Sequence, residues 1–180
     1  VEPGNAYSPG VWTCGVAFWL VVDGQVATAA ALPPEAVSWS FGESDDDGRP
    51  PVLRSVWHFG GVTVEHALCH IGGEGAQGVD FSRVALASDE TRTVTACIVV
   101  TGVGPAGGVL HRLAWDAKAQ TLRINGAIDL LVETPGMACY LRPPVQEGDE
   151  MPLAVLHIDL DLEAGEPRTL AFKSAHGFAD

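Results

Sequence analysis

Positive charge is what this chain has least of. Ten Lys and Arg stand against 23 Asp and Glu in 180 residues, a formal net charge of −13. Such a surface repels a phosphate backbone, which argues against nucleic acid as a partner. It argues against an anionic lipid surface on the same ground. A neutral ligand such as a sugar meets no such barrier. Long apolar runs are lacking too. The longest, Val16-Ala-Phe-Trp-Leu-Val-Val22, stops at Asp23-Gly24, far short of the ~18 residues that span a bilayer. No signal peptide is recognisable. No membrane attachment is therefore expected, and a cytoplasmic location is slightly favoured. The chain begins at Val1 without an initiator Met, which reads as a fragment or a processed product.

Cysteine is sparse and scattered. Cys14, Cys69, Cys97 and Cys139 include no C-x-x-C pair, so a structural zinc site is not expected. Their strand-interior positions read as small buried thiols in a reducing compartment. Two disulfides in a secreted protein are the alternative. Catalytic motifs are missing as well. There is no Gly-x-Ser-x-Gly elbow, and Ser8, Ser55, Ser82 and Ser174 sit in unrelated contexts. Gly102-Val-Gly-Pro-Ala-Gly-Gly108 lacks the Gly-Lys-Ser/Thr ending of a phosphate loop and precedes a strand instead of a helix. Asp45-Asp46-Asp47-Gly48 starts like a calcium loop, but the twelfth position from Asp45 is Val56, where an EF-hand needs Glu. It reads as a solvated acidic loop, with a looser calcium site as the alternative. No cofactor and no metal are expected, and no residue is assigned as catalytic.

What the chain does have is strand upon strand. Apolar residues make up 47% and charged residues 18%, and 21 Gly and 12 Pro supply turns, as a folded globule with many reversals requires. The runs Val11–Val22, Gln25–Ala29, Ala36–Phe41, Leu53–Phe59, Gly61–Ile71, Val79–Ala87, Thr93–Thr101, Val109–Trp115, Thr121–Ile124, Ala127–Glu133, Leu153–Leu160 and Arg168–Phe172 are short and apolar or β-branched. Gly, Pro, Asn or Asp bounds them. Asp23-Gly24 and Asn125-Gly126 are hairpin dipeptides, and Asp116–Gln120 is a longer hairpin loop. The Ala-rich stretch 27–31 cannot continue as a helix into Pro33-Pro34. About a dozen strands exceed what one open twisted sheet holds without splitting. The expectation is an all-β, two-sheet antiparallel β-sandwich with few or no helices, forming a single domain over 1–180.

His66 and His70 are four apart. On a strand they share a face but stand about 13 Å apart, too far to clamp one metal ion. Five tryptophans, Trp12, Trp19, Trp39, Trp57 and Trp115, fall in or beside these strands. Trp39 shares its face with Val37 and Phe41 and is expected in the core. Trp57 and His58 lie in an alternating stretch where either can face outward. Core burial is the favoured reading for each tryptophan, because large aromatics are mostly buried; Trp57 is the candidate carbohydrate-binding aromatic, should one face out.

In order along the chain come Gly61-Val-Thr-Val-Glu-His66, Gly78-Val-Asp-Phe-Ser-Arg-Val84, Arg92-Thr-Val-Thr-Ala-Cys-Ile-Val-Val100, Gly104-Pro-Ala-Gly-Gly108, Leu122-Arg-Ile-Asn-Gly126 and Glu133-Thr-Pro135. This series resembles the N-terminal β-supersandwich domain of bacterial six-hairpin glycosidases, over roughly Val11 to Phe172. The resemblance implies a partner: a catalytic (α/α)6 helical barrel, as domain or subunit, which carries the catalytic carboxylates and which this chain does not contain. It implies a non-catalytic accessory sandwich that packs against the barrel and edges the sugar site. Two other readings stay open. One is a small all-β enzyme using His and carboxylate acid–base chemistry, drawing on His58, His66, His70, His111, His157 or His176. The other is a structural jelly-roll module.

Overall fold

The structure, a computed structural model, describes residues 6–9, 14–42, 50–72, 78–102, 110–142 and 153–176. The Asp45–Gly48 loop, Trp12 and nearly all of the Gly102–Gly108 connection lie outside them. The described residues hold thirteen strands: β1 (Gly15–Val22), β2 (Gln25–Ala27), β3 (Val37–Gly42), β4 (Val52–Phe59), β5 (Val62–Gly72), β6 (Gly78–Ser88), β7 (Arg92–Thr101), β8 (Leu113–Asp116), β9 (Thr121–Ile124), β10 (Ile128–Val132), β11 (Ala138–Arg142), β12 (Leu153–Leu162) and β13 (Arg168–His176). No α-helix occurs among the described residues. The Ala-rich stretch closes as a single 3-10 turn, Ala29–Ala31, capped by the Thr28 hydroxyl, which accepts from the Ala31 N–H at 3.2 Å. Pro34 opens a second such turn, Pro34–Ala36.

The strands form two wholly antiparallel sheets. The smaller has the order β11-β12-β7-β1-β2, and the larger β3-β4-β5-β6-β13-β10-β9-β8. The last strand, β13, enters the middle of the larger sheet between β6 and β10, so the β3–β6 and β8–β10 parts of that sheet are joined through it. The turns match their chemistry. Asp23 and Gly24 have φ of 51° and 76°, and Asn125 and Gly126 have 54° and 76°, the left-handed pair of a tight hairpin, closing a two-residue loop between Val22 and Gln25 and a three-residue loop between Ile124 and Ile128. At the β4–β5 turn Gly60 has φ 55°, and a Cβ there would stand 2.9 Å from Cγ1 of Val22. Glycine thus lets one sheet's turn close onto the other sheet.

Alternation of side chains decides what each sheet buries. Val16, Phe18, Leu20 and Val22 of β1 meet Val94, Ala96, Ile98 and Val100 of β7 and Ala154, Leu156 and Leu162 of β12 on one buried face. From the larger sheet, Trp57, Val62, Val64, Val84, Leu86, Leu170 and Phe172 close the core.

The candidate sugar-binding role of Trp57 and the core placement of Trp39 are both corrected. Trp57 is 1% exposed and packs in the core. No sugar reaches its ring there, so it is not a stacking platform. Its cross-strand partners are Val37 and Val64, both buried. Trp39 and Phe41 do share the inward face with Val37, yet they are 42% and 67% exposed. The reason is tertiary. An eight-stranded sheet is wider than a five-stranded one, and β3 is its outermost strand. The inward face of β3 therefore overhangs the opposing sheet beyond Val37.

Strand ends also moved. The strand expected over Arg168–Phe172 extends to His176, because β6 offers partners as far as Gly78. β11 was not foreseen. Its segment, Ala-Cys-Tyr-Leu-Arg, is an edge strand that pairs with β12 and packs Cys139 and Leu141 against the core. Tyr7 in the N-terminal lead-in exchanges backbone hydrogen bonds with Val16 at 2.9 and 2.8 Å and is buried.

Candidate functional site

Two places gather polar side chains that the hydrophobic pattern leaves over. The first is a row on the inward face of the larger sheet, near one end of the sandwich. Antiparallel register sets Ser174 of β13 opposite Asp80 of β6, and Asp80 opposite His70 of β5. His70 Nδ1 lies 2.7 Å from Asp80 Oδ1. The carboxylate accepts the Nδ1–H, which selects the ring tautomer and leaves Nε2 as the second nitrogen. The imidazole is half-exposed while the carboxyl is mostly buried. Above the row the Tyr7 hydroxyl is 2.6 Å from Ser174 Oγ. Burial holds the Tyr7 phenol well above its usual range; the Ser174 hydrogen bond opposes this, and the nearby Asp80 charge adds to it. Burial, and after it Asp80, also pushes the Cys69 thiol up.

This row has the orienting half of an acid–base device. Ser82 and Ser174 are 3% and 0% exposed, so neither hydroxyl can meet a substrate as a nucleophile. Deeper in the same face, His66 is 1% exposed, with its ring 6.5 Å from Phe18 and 6.1 Å from Phe172. It shares a face with His70, as the spacing required, but belongs to the core.

The second place is a groove of about 390 Å³ on the outward face of β4, β5, β6 and β13. Its floor is small: Ala67, Ala85 and Ala171. Val52, Cys69 and Phe81 add apolar surface, and Phe81 is 37% exposed. Arg54 and Glu65 form one wall, paired at 3.0 Å. Glu133 forms the other, paired with Lys173 at 3.0 Å. Between them Arg83 stands directly opposite Ala67 on one side and Ala171 on the other. The alternation of β6 dictates this, since Val84 and Ser82 on either side face inward and are buried. Alanine on both neighbouring strands leaves the guanidinium unobstructed.

Glu65 lies on β5 and Glu133 just past β10, three strand spacings apart in this sheet, which sets their backbones about 14 Å apart at ~4.8 Å per spacing. A glycosidase pair needs about 5–9.5 Å. Among the described residues no group of three or more His, Cys, Asp or Glu is placed to hold a metal ion.

The remaining sequence candidates are dispersed. His58 Nδ1 lies 3.0 Å from the Thr63 hydroxyl on an exposed face. The His111 N–H donates to Asn125 Oδ1 at 2.8 Å. His157 is half-buried opposite Cys97 on the outward face of the smaller sheet, and His176 closes β13. None of the four cysteines is joined in a disulfide. Burial pushes Cys97, with Asp159 contributing, and Cys139 up to about 11.

Sequence reading missed both places. The signal for the row was polar Asp80 and Ser82 at inward positions of β6, where the alternation calls for apolar residues. The signal for the groove was alanine at outward positions of three strands that sequence alone does not set side by side.

Comparison with known proteins yields fold and little else. No protein-family model matches the chain, and no curated protein matches it. Among solved structures it is similar to a protein described as a kojibiose phosphorylase from human microbiome, with a TM-score of 0.55 at 8% sequence identity. The alignment covers 96% of this chain and 25% of that one. At this identity the likeness establishes the β-sandwich fold alone, and the chain spans about a quarter of the length of that neighbour.

Proposed function

We propose that this chain is a non-catalytic accessory β-sandwich of a carbohydrate-active enzyme, which packs against a helical-barrel catalytic domain or subunit and borders its sugar site. The observation that carries this reading is the lopsided coverage: nearly all of this chain overlays a quarter of a glycoside phosphorylase. Two features of the site support it. The described carboxylates of the groove stand on strands three spacings apart and are each tied to a cation. The hydroxyls of the inward row are sealed from solvent.

The test is an assay of the purified chain against a panel of aryl glycosides, with no turnover expected. Turnover that survives repurification and disappears when one carboxylate is changed to its amide overturns the accessory reading. The His70–Asp80 contact favours a second reading, an all-β enzyme working by acid–base chemistry. On that reading His70→Asn and Asp80→Asn abolish turnover together.

A further inference from the structure

The groove on the outward face of the larger sheet has a charge pattern that a passive surface does not need. Arg54 is matched by Glu65, Lys173 by Glu133 and, one row away, Arg123 by Asp129. Arg83, at the centre, has no acidic partner among the described residues. Arg112, Lys118 and Arg168 also lack a carboxylate among the described residues, but they stand outside the groove; within it Arg83 is the cation left without one. Lys173, beside the groove, neutralises Glu133 of its lining, so the described charges of the groove and this flanking lysine leave one net positive charge at Arg83. The chain's overall negative charge acts at longer range and is screened beyond about 8 Å at physiological ionic strength.

We propose that this groove binds an acidic sugar, a pyranose-sized ring whose single carboxylate or phosphate is received by Arg83. A planar guanidinium with a fork of donors matches either group bidentately. Phe81 stands two residues away on the same face of β6, one row over, and its exposed ring offers a platform for the apolar side of a sugar. The alanine floor admits a ring close to the sheet. The volume lies within the range of small-molecule sites, at the size of one or two sugar rings. Arg54 and Glu65 at the wall present a donor and an acceptor for hydroxyl groups. The sugar part of this inference rests on the carbohydrate-enzyme reading above; the anionic part rests on the charge pattern alone.

The experiment is calorimetric titration of the chain with glucuronate, glucose 6-phosphate, glucose, benzoate and inorganic phosphate, repeated on Arg83→Gln and Phe81→Leu. Arg83 is exposed and unpaired, so its replacement leaves the fold intact, and a thermal melt checks this. Millimolar or tighter binding of glucuronate or glucose 6-phosphate is expected. Glucose should bind at least tenfold more weakly, and Arg83→Gln should erase that difference. Phe81→Leu should weaken the acidic sugars and leave inorganic phosphate unchanged. Glucose binding as tightly as the acidic sugars, independently of Arg83, refutes the anionic part and leaves the carbohydrate reading standing. Benzoate binding as tightly as glucuronate through Arg83 refutes the sugar part and removes this support from that reading. No binding of any probe overturns the whole proposal.

Discussion

Replacing Trp57 tests how the core is assembled. The indole is 1% exposed, and an aromatic side chain of this kind buries roughly 150–250 Å². At about 25 cal/mol per Å² that is about 4–6 kcal/mol of transfer free energy. A compact denatured state has already buried part of that area, which lowers the figure by roughly 10–40%. Alanine also leaves a cavity between rigid sheets. The two corrections bring Trp57→Ala to about 3–5 kcal/mol, the usual range for such truncations. Phe41→Ala is the control: the ring is 67% exposed on the overhanging strand, so its loss should cost about 1 kcal/mol or less. Urea unfolding followed by circular dichroism reads both. With a slope near 2 kcal/mol per molar urea, the midpoint should fall by about 2 M for Trp57→Ala and by under 0.5 M, roughly, for Phe41→Ala. If the alanine variant does not fold, Trp57→Phe gives a smaller step of about 1 kcal/mol in the same direction. Equal midpoint shifts for Trp57→Ala and Phe41→Ala would refute the burial assignment.

Gly60→Ala should cost about 1–3 kcal/mol, because it combines a φ of 55° with a Cβ 2.9 Å from Val22 Cγ1. Gly24→Ala, at φ 76° with open space around it, should cost less, and a reversed order in thermal melts would contradict the sheet-to-turn contact. Stability should decline at alkaline pH. Cys97 and Cys139 hold their protons to about 11 when folded, against an ordinary value of 9.0. Their contribution is therefore complete below pH 9 and lost between pH 9 and 11 as the unfolded thiols ionise. Cys97→Ala should flatten this limb of a midpoint-versus-pH curve, and an unchanged limb counts against it. The Asp129 carboxyl is held below its usual range chiefly by the hydrogen bond from Arg123, with burial opposing. Its contribution is present above the ordinary carboxylate pKa and lost as the pH falls through the folded value. The pair is solvent-exposed, so Arg123→Gln should cost only about 0.2–1 kcal/mol at pH 7 and nothing at pH 2, roughly. A cost that persists in acid would show that packing, not charge, is at stake.

Local chemistry determined most of this protein's architecture. Period-two runs produced the strands, and Asp23-Gly24 and Asn125-Gly126 produced tight hairpins of two and three residues, because a left-handed backbone pair is a property of the dipeptide itself. Pro33-Pro34 barred a helix for an equally local reason. The low cation count was likewise legible without a fold. What only tertiary structure decided is which of two chemically similar aromatics is buried. Trp39 and Trp57 both sit on inward faces, and burial went to Trp57 because its strand lies under the smaller sheet, whereas β3 extends past it. The Ser174–Asp80–His70 row joins residues more than a hundred positions apart through the insertion of β13 beside β6. Arg83 becomes the centre of a groove only because Ala67 and Ala171 arrive on either side of it by strand order. Strand order and sheet width depend on long-range pairing, and period-two patterning carries no record of which strands are neighbours.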